Sequence, residues 1–183
     1  MATPTIKLKD FCQLLEIEDR DVRYILEQGH VPKGVAERPM TGNHREFGPD
    51  QAFWLAIVLK LKHTGLKTPL AARVADFAAR AVRATTQNLS WDRTFLPMTG
   101  WFESDHQYFV DVGDLTFIRL VTDAYPSREG LYAFPWSPVE GRRKPDKIWT
   151  PFVILRLDIT QIAKVLGKVD GWICPHRRPK KVD

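Results

Sequence analysis

The stretch LKDFCQLLEIEDRDVRYILEQGHVP, residues 8–32, decides the fold of the N-terminal half. Its apolar residues recur at the three- and four-residue spacings of one helix face, which predicts a first helix ending near Glu16 and a second ending at Gln28. Ile17 lies between the two helices and is expected to be the inward-facing apolar residue of a tight turn. Gly29 can adopt the positive φ that ends the second helix. The stretch therefore predicts a helix, a short turn and a second helix.

The second helix leaves Arg20, Arg23 and Tyr24 on its outer side. Arginine can form bidentate hydrogen bonds with guanine or phosphate, and a tyrosine hydroxyl can donate to a phosphate oxygen, so these three side chains are candidate DNA contacts. A solvated helix face is the alternative. The carboxylates of Glu18, Asp19 and Asp21 favour that alternative, because they lie near the helix start and repel phosphate. The helix by itself leaves both interpretations open.

The segment 30–47 is polar, basic and contains glycine, which predicts a β-hairpin wing with its tip at Gly42-Asn43. Arg38, His44 and Arg45 would offer positive charge from this wing to a phosphate backbone or a minor groove. The alternative interpretation is a solvated loop.

A third helix is predicted to begin after Gly48, with Pro49 at its first position, and to end at Gly65. Its residues are apolar nearly all round, so we expect it to be buried on more than one face. A fourth helix is predicted to begin at Thr68-Pro69. It carries apolar residues that advance by four, three and four positions, as in the seam of a short coiled coil: Leu70, Val74, Phe77 and Ala81. These residues predict a homodimer, and the alternative is a helix packed on its own domain.

The N-terminal half resembles the MerR-type winged-helix transcriptional regulators over residues 6–85. The run from Arg23 to Pro32, RYILEQGHVP, matches without a gap the family signature at the end of the second helix. The run Arg45-Glu46-Phe47, followed by Gly65, is similar to the family pattern that closes the wing and ends the next helix. The chain departs from the family pattern at three positions: Glu16 replaces the turn glycine, Ile25 replaces an aromatic residue and His30 replaces an apolar residue. Its wing is also a few residues longer than is usual in the family.

The resemblance implies a bacterial or phage winged helix-turn-helix protein that binds a pseudo-palindromic operator as a homodimer. It implies that Arg23 and Tyr24 contact DNA from the recognition helix and that Arg45 contacts DNA from the base of the wing. We add Arg20, which lies one turn before Tyr24. The family's metal-sensing members carry cysteines around the dimerisation helix, and none lies between Cys12 and Cys174 here.

The second half differs in composition: its proline, glycine and aromatic residues are spaced so that only short segments lie between turn-forming residues, which is typical of strands joined by turns. Strands are predicted at 108–112, 115–121, 131–134 and 152–157, followed by a helix at 159–165, which together indicate an α+β module. Large aromatic residues could line a pocket for a flat or cationic ligand, or could fill a core: Trp101, Trp136 and Trp149.

Composition excludes several classes of protein. The chain has 183 residues, a mild net charge of +5 and no apolar run near the ~20 residues of a membrane span. The first ten residues do not read as a signal peptide, and two distant cysteines indicate neither a disulfide framework nor a zinc site, so a cytoplasmic location is expected. We find no catalytic constellation, glycine-rich phosphate loop or metal cluster, so we expect no enzyme activity, no cofactor and no metal.

The sequence thus predicts an α+β protein with a winged helix-turn-helix DNA-binding domain at 1–66, a dimerisation helix at 67–87 and a small mixed α/β domain at 88–183. The predicted function is a MerR-like, homodimeric regulator of transcription that binds double-stranded DNA, with a small-molecule or protein effector at the C-terminal domain and no membrane partner. Two alternatives remain: an architectural DNA-binding protein of the excisionase or phage-assembly kind, and a protein-interaction module.

Overall fold

The computed structural model describes residues 5–30, 45–88, 107–114, 117–122, 132–135, 153–169 and 172. These residues form an α+β fold with helices α1 to α5 and strands β1 to β6. The helices are Leu8–Leu15 (α1), Asp19–Glu27 (α2), Pro49–His63 (α3), Thr68–Asn88 (α4) and Ile159–Leu166 (α5). The strands are Ile6–Lys7 (β1), Glu46–Phe47 (β2), Tyr108–Gly113 (β3), Phe117–Thr122 (β4), Tyr132–Pro135 (β5) and Ile154–Asp158 (β6).

The first three helices end in the same backbone motif, in which a residue with positive φ reverses the chain. Gly29 (φ 65°) ends α2 and Gly65 (φ 93°) ends α3, as predicted, whereas Glu16 (φ 56°) ends α1. At α1 the N–H of Ile17 donates to the Cys12 carbonyl at 3.0 Å and the N–H of Glu16 donates to that of Gln13 at 3.3 Å. This is the Schellman pattern, which satisfies carbonyls that the helix leaves without partners.

A two-stranded antiparallel sheet closes the N-terminal part. Ile6 pairs with Phe47 and Lys7 with Glu46, and the N–H of Leu8 donates to the Arg45 carbonyl at 2.8 Å. The strand that ends the predicted wing therefore pairs with the chain's own N-terminal strand. The remainder of the wing, 31–44, lies outside the described residues.

Helix α3 is the centre of the core. It begins at Pro49 after a Gly48 N–H that donates to Gln51 Oε1 at 3.1 Å. Every residue from Ala52 to Leu59 is fully buried, because α2, α4, α5 and β2 all contact this helix. The prediction that α3 is buried on more than one face is confirmed.

The second sheet is antiparallel, with the strand order β5-β4-β3-β6 among the described strands. Each described strand and the closing helix α5 lie within two residues of the predicted boundaries. The N-terminal cap of α5 is Asp158, whose Oδ1 accepts the Gln161 N–H at 2.9 Å. The predicted strands and helix of the second half are therefore confirmed as elements.

One hydrophobic core joins the two halves of the chain. Buried residues of α1 and α3 belong to the same cluster as Val110, Ile162 and Trp172 from the C-terminal part, and α5 contacts both α1 and α3. The predicted domain boundary between residues 87 and 88 therefore does not coincide with a break in the packing.

Helix α4 packs on α3 and on β4. Two of the predicted dimerisation residues, Val74 and Phe77, are buried inside this single chain, and Leu70 is half-buried against the same core. The side chain of Ala81 lies outside the described part of α4. The described residues of the predicted seam therefore pack in the core of their own chain. This is the alternative that the sequence left open, a helix packed on its own domain.

Candidate nucleic-acid interface

The outer face of α2 carries the side chains predicted to contact DNA. Val22 and Ile25 are fully buried and hold the opposite face against the core. The side chain of Arg20 is 82% exposed, and Tyr24 as a whole is 48% exposed. Arg23 is half-buried, with its guanidinium at the surface of the same helix. The structure therefore presents Arg20, Arg23 and Tyr24 together on the surface of one helix.

The two arginines of this face are paired with carboxylates of their own helix start. Arg23 Nε donates to Asp19 Oδ2 at 2.8 Å, one helical turn away, and Arg20 pairs with Glu18. Glu18 is the N-cap residue of α2, and its side chain forms no capping hydrogen bond. The acidic helix start is thus partly neutralised by the same arginines that are the candidate DNA contacts.

A third acidic residue of α2, Asp21, ties this helix to the end of α3. Lys62 Nζ donates to Asp21 Oδ1 at 2.6 Å, and His63 Nε2 lies 3.5 Å from Asp21 Oδ2. The hydrogen bond from Lys62 holds the pKa of the Asp21 carboxyl below its ordinary value of 3.8, and the nearby His63 acts in the same direction. The bridge joins side chains that lie 41 positions apart in the sequence.

The same lysine also approaches the candidate DNA-contacting tyrosine. Lys62 Nζ lies 5.6 Å from the centre of the Tyr24 ring, within the range of a cation–π interaction, and the His30 ring lies 6.4 Å from it on a tilted plane. Lys62 therefore contacts two side chains of α2 at once and holds the Tyr24 ring beside the C-terminal end of α3. Sequence reasoning missed Lys62 and its contacts with Asp21 and Tyr24, because a contact between helices so far apart in sequence leaves no periodic signal.

Arg45 lies at the junction of β1 and β2. Its carbonyl accepts the N–H of Leu8. The ring of Phe47, two residues later, lies tilted by 52° against the Phe11 ring of α1, with the ring centroids 5.2 Å apart. Its side chain is half-buried, and within the described part of the chain Nη1 is a buried donor with no hydrogen-bond acceptor. The base of the predicted wing is thus fixed to α1.

The remaining predicted site residues lie outside the described residues. They are the wing residues Arg38 and His44 and the pocket residues Trp101, Trp136 and Trp149.

Two observations bear on other chemistry. Cys12 is buried on the inner face of α1, and desolvation by that burial raises the pKa of its thiol to about 11, as expected for a cysteine that acts as a small core residue. Among the described residues, no group of three or more histidine, cysteine or acidic side chains is placed to hold a metal ion, and no helix is long and apolar enough to cross a membrane.

Comparison of the chain with known protein families matches no family model, and comparison with curated proteins finds no matching relative.

Proposed function

We propose that this chain is a sequence-specific DNA-binding protein that regulates transcription. In this proposal β1, α1, α2, β2 and α3 form a winged helix-turn-helix of the MerR type, and α2 is the recognition helix. The observation that carries the proposal is the outer face of α2, where Arg20, Arg23 and Tyr24 are presented together on a helix whose opposite face is anchored in the core.

The surroundings of α2 support the same function. The Schellman motif that ends α1 begins the short turn before α2, and the β1–β2 sheet packs against α1 through Phe11 and Phe47. This sheet fixes Arg45 beside α1, where the predicted wing ends. In a helix-turn-helix the second helix lies in the major groove and the first crosses the backbone, which is the arrangement that we propose for α2 and α1.

The ion pairs on α2 are compatible with DNA binding. A solvent-exposed pair contributes only about 0–1 kcal/mol, so exchanging a carboxylate for a phosphate costs little. The Arg23 guanidinium has five N–H donors, and the hydrogen bond with Asp19 uses only the one on Nε, so the donors of its terminal nitrogens take no part in that bond. The ion pairs would therefore weaken nonspecific DNA binding more than specific binding. Phosphate contacts alone must compete with the carboxylates, whereas a matched base pair adds bidentate hydrogen bonds to the arginine.

The experiment that tests the proposal is a comparison of two charge-matched variants. DNA fragments are first selected on the wild-type protein, and affinity is then measured by fluorescence anisotropy for wild type, Arg23→Ala and Lys164→Ala. Lys164 is an exposed cation on α5, outside the proposed interface, so its removal lowers the net charge equally.

We expect Arg23→Ala to weaken binding to the selected fragment by about 5- to 150-fold, the loss of ~1–3 kcal/mol for a base-reading arginine. We expect Lys164→Ala to bind within about twofold of wild type. Equal affinities of all three proteins, measured with folded variants, would show that α2 does not read DNA.

A further inference from the structure

Lys62, in the last turn of α3, contacts two side chains of α2 that lie three residues apart. Its Nζ donates to Asp21 Oδ1 at 2.6 Å and lies 5.6 Å from the centre of the Tyr24 ring. Residues three apart on a helix are neighbours on its surface, so one ammonium group can reach both side chains at once. Lys62 therefore joins a carboxylate of α2 to the aromatic ring that is a candidate DNA contact.

The hydrogen bond with Asp21 fixes the position of the ammonium group. The side chains of Lys62 and Asp21 are only 26% and 23% exposed, and His63 Nε2 lies 3.5 Å from the other carboxylate oxygen. Separation of this pair would leave a largely buried carboxylate without its closest donor, which costs more free energy than the separation of an exposed pair. The bridge is therefore harder to exchange than the more exposed pairs formed by Arg20 and Arg23.

The Tyr24 ring is more open to solvent than the lysine that contacts it. Tyr24 is 48% exposed, and the described groups that face its ring are the Lys62 ammonium and the His30 ring. A cation is attracted to the electron-rich face of an aromatic ring. Because Asp21 holds the ammonium in place, this attraction favours one orientation of the Tyr24 ring before any ligand arrives.

The orientation of a surface side chain before binding affects its contribution to affinity. A side chain that is ordered only on binding loses rotamer freedom at that moment, and the loss weakens the complex. A ring that already has its binding orientation avoids most of this cost, which is the effect called preorganisation. A contact within the free protein can thus strengthen DNA binding without touching DNA.

We propose that Lys62 is a positioning residue for DNA recognition, which holds the Tyr24 ring in the orientation that α2 uses to bind DNA. This inference rests on the proposed function of α2. The other use of such a cation would be a direct phosphate contact, but the ammonium is already bonded to a carboxylate that is largely buried. The two uses differ in how they depend on the Tyr24 ring and on salt.

A double-mutant cycle tests whether Lys62 acts through the ring. Affinity for a fragment selected on the wild-type protein is measured by fluorescence anisotropy for Lys62→Met, Tyr24→Leu and the double variant. Lys164→Met is the control, because it removes the same charge from the exposed surface of α5. We expect Lys62→Met to weaken binding about three- to tenfold when Tyr24 is present, and less than about twofold in the Tyr24→Leu background. We expect Lys164→Met to bind within about twofold of wild type.

The salt dependence of affinity separates a positioning residue from a phosphate contact. A phosphate contact contributes about −0.9 to the slope of the logarithm of affinity against the logarithm of salt concentration. We expect Lys62→Met to have the wild-type slope, whereas loss of a phosphate contact would make the slope shallower by about 0.9. We expect Lys62→Arg to bind within about twofold of wild type, because arginine can donate to Asp21 and stack on the ring.

Nuclear magnetic resonance tests the ring contact in the absence of DNA. Protons near the face of an aromatic ring shift upfield, so we expect an upfield shift of the Lys62 ε-methylene protons that Tyr24→Leu abolishes. Circular dichroism and thermal unfolding identify the folded variants. Lys62→Gln, which keeps a hydrogen-bond donor for Asp21, takes the place of Lys62→Met in the cycle if the latter does not fold.

The possible outcomes distinguish this inference from the proposed function. Equal weakening by Lys62→Met with and without the Tyr24 ring would overturn the inference, as would unchanged affinity, a shallower salt slope or the absence of the upfield shift. In each of these cases, wild-type binding that is weakened by Arg23→Ala would still support DNA reading by α2. A wild-type chain that selects no DNA would overturn both.

Discussion

Replacement of Glu16 by glycine is predicted to stabilise the protein. Glu16 occupies the left-handed position (φ 56°, ψ 50°) that ends α1 and sets the turn before α2. The equivalent positions at the ends of α2 and α3 are glycines, Gly29 and Gly65, with the same pair of backbone hydrogen bonds. Two of the three Schellman motifs in the described structure therefore have glycine at the left-handed position, and the motif that ends α1 has Glu16 there.

The magnitude follows from two opposing conformational costs. A side chain with a Cβ atom pays about 1–2 kcal/mol in the left-handed helical region. Glycine removes that penalty but gives the unfolded chain more freedom, which costs about 0.5–1 kcal/mol. We therefore expect Glu16→Gly to raise the free energy of unfolding by about 0.5–1 kcal/mol, or the melting temperature by about 1–4 °C for a chain of this size.

Chemical unfolding monitored by circular dichroism measures this change, with Glu16→Ala as the matched control. Alanine removes the carboxylate but keeps the Cβ atom, so we expect it to leave stability within about 0.3 kcal/mol of wild type. If Glu16→Gly is no more stable than Glu16→Ala, the backbone at Glu16 is not in the left-handed region in solution, and the geometry assigned to the turn before α2 is wrong.

Three further predictions use the same unfolding assay or simple chemistry. Gly29→Ala should cost about 1 kcal/mol, purely from its φ of 65°, because no atom lies within 4 Å of an added Cβ; no measurable cost would contradict the motif. Lys62→Met should cost about 1–2 kcal/mol at pH 7 and progressively less below pH ~4, since the lowered pKa of Asp21 makes its stabilisation fully present above pH ~4 and lost as the pH falls through that lowered pKa. A cost that does not fall between pH 7 and pH 3 would contradict the bridge. Cys12, with a pKa of about 11, should resist iodoacetamide at pH 8 until the protein is unfolded, as judged by mass spectrometry of its peptide.

Local sequence signals predicted the described elements well. Helix ends were predictable wherever the chain carries a glycine, and Pro49 marked the start of α3 correctly. The turn at Glu16 was predictable only from the apolar spacing on either side of it, because a glutamate gives no sign of a left-handed backbone. The all-round apolar pattern of α3 indicated burial, but not which elements would bury it.

Packing between distant segments was not predictable from local patterns. The seam on α4 has the spacing of a coiled coil, yet the same spacing suits a helix that packs on α3, and the structure uses Val74 and Phe77 in that way. Likewise, the change in composition near residue 87 does not mark a break in the core, because Trp172 and α5 pack with the N-terminal helices. Periodicity identifies a buried face but not the partner that covers it.

The candidate site was predictable in part for the same reason. Helical spacing placed Arg20, Arg23 and Tyr24 on one outer face, and they lie there. It did not reveal that Lys62 of α3 reaches both Asp21 and the Tyr24 ring, because that contact depends on how two helices cross. Lys62 thus couples the candidate DNA-contacting face to the buried centre of the fold.

The central claim, that α2 reads double-stranded DNA, is tested most directly by selecting fragments from a random DNA library with the purified 183-residue chain. We predict enrichment of a shared motif, with an affinity that falls steeply between 50 and 200 mM salt because phosphate contacts release counterions. We also predict that Arg23→Ala loses the enrichment whereas Lys164→Ala retains it. Recovery of the input library without enrichment, or the same motif enriched equally by Arg23→Ala, would contradict the account.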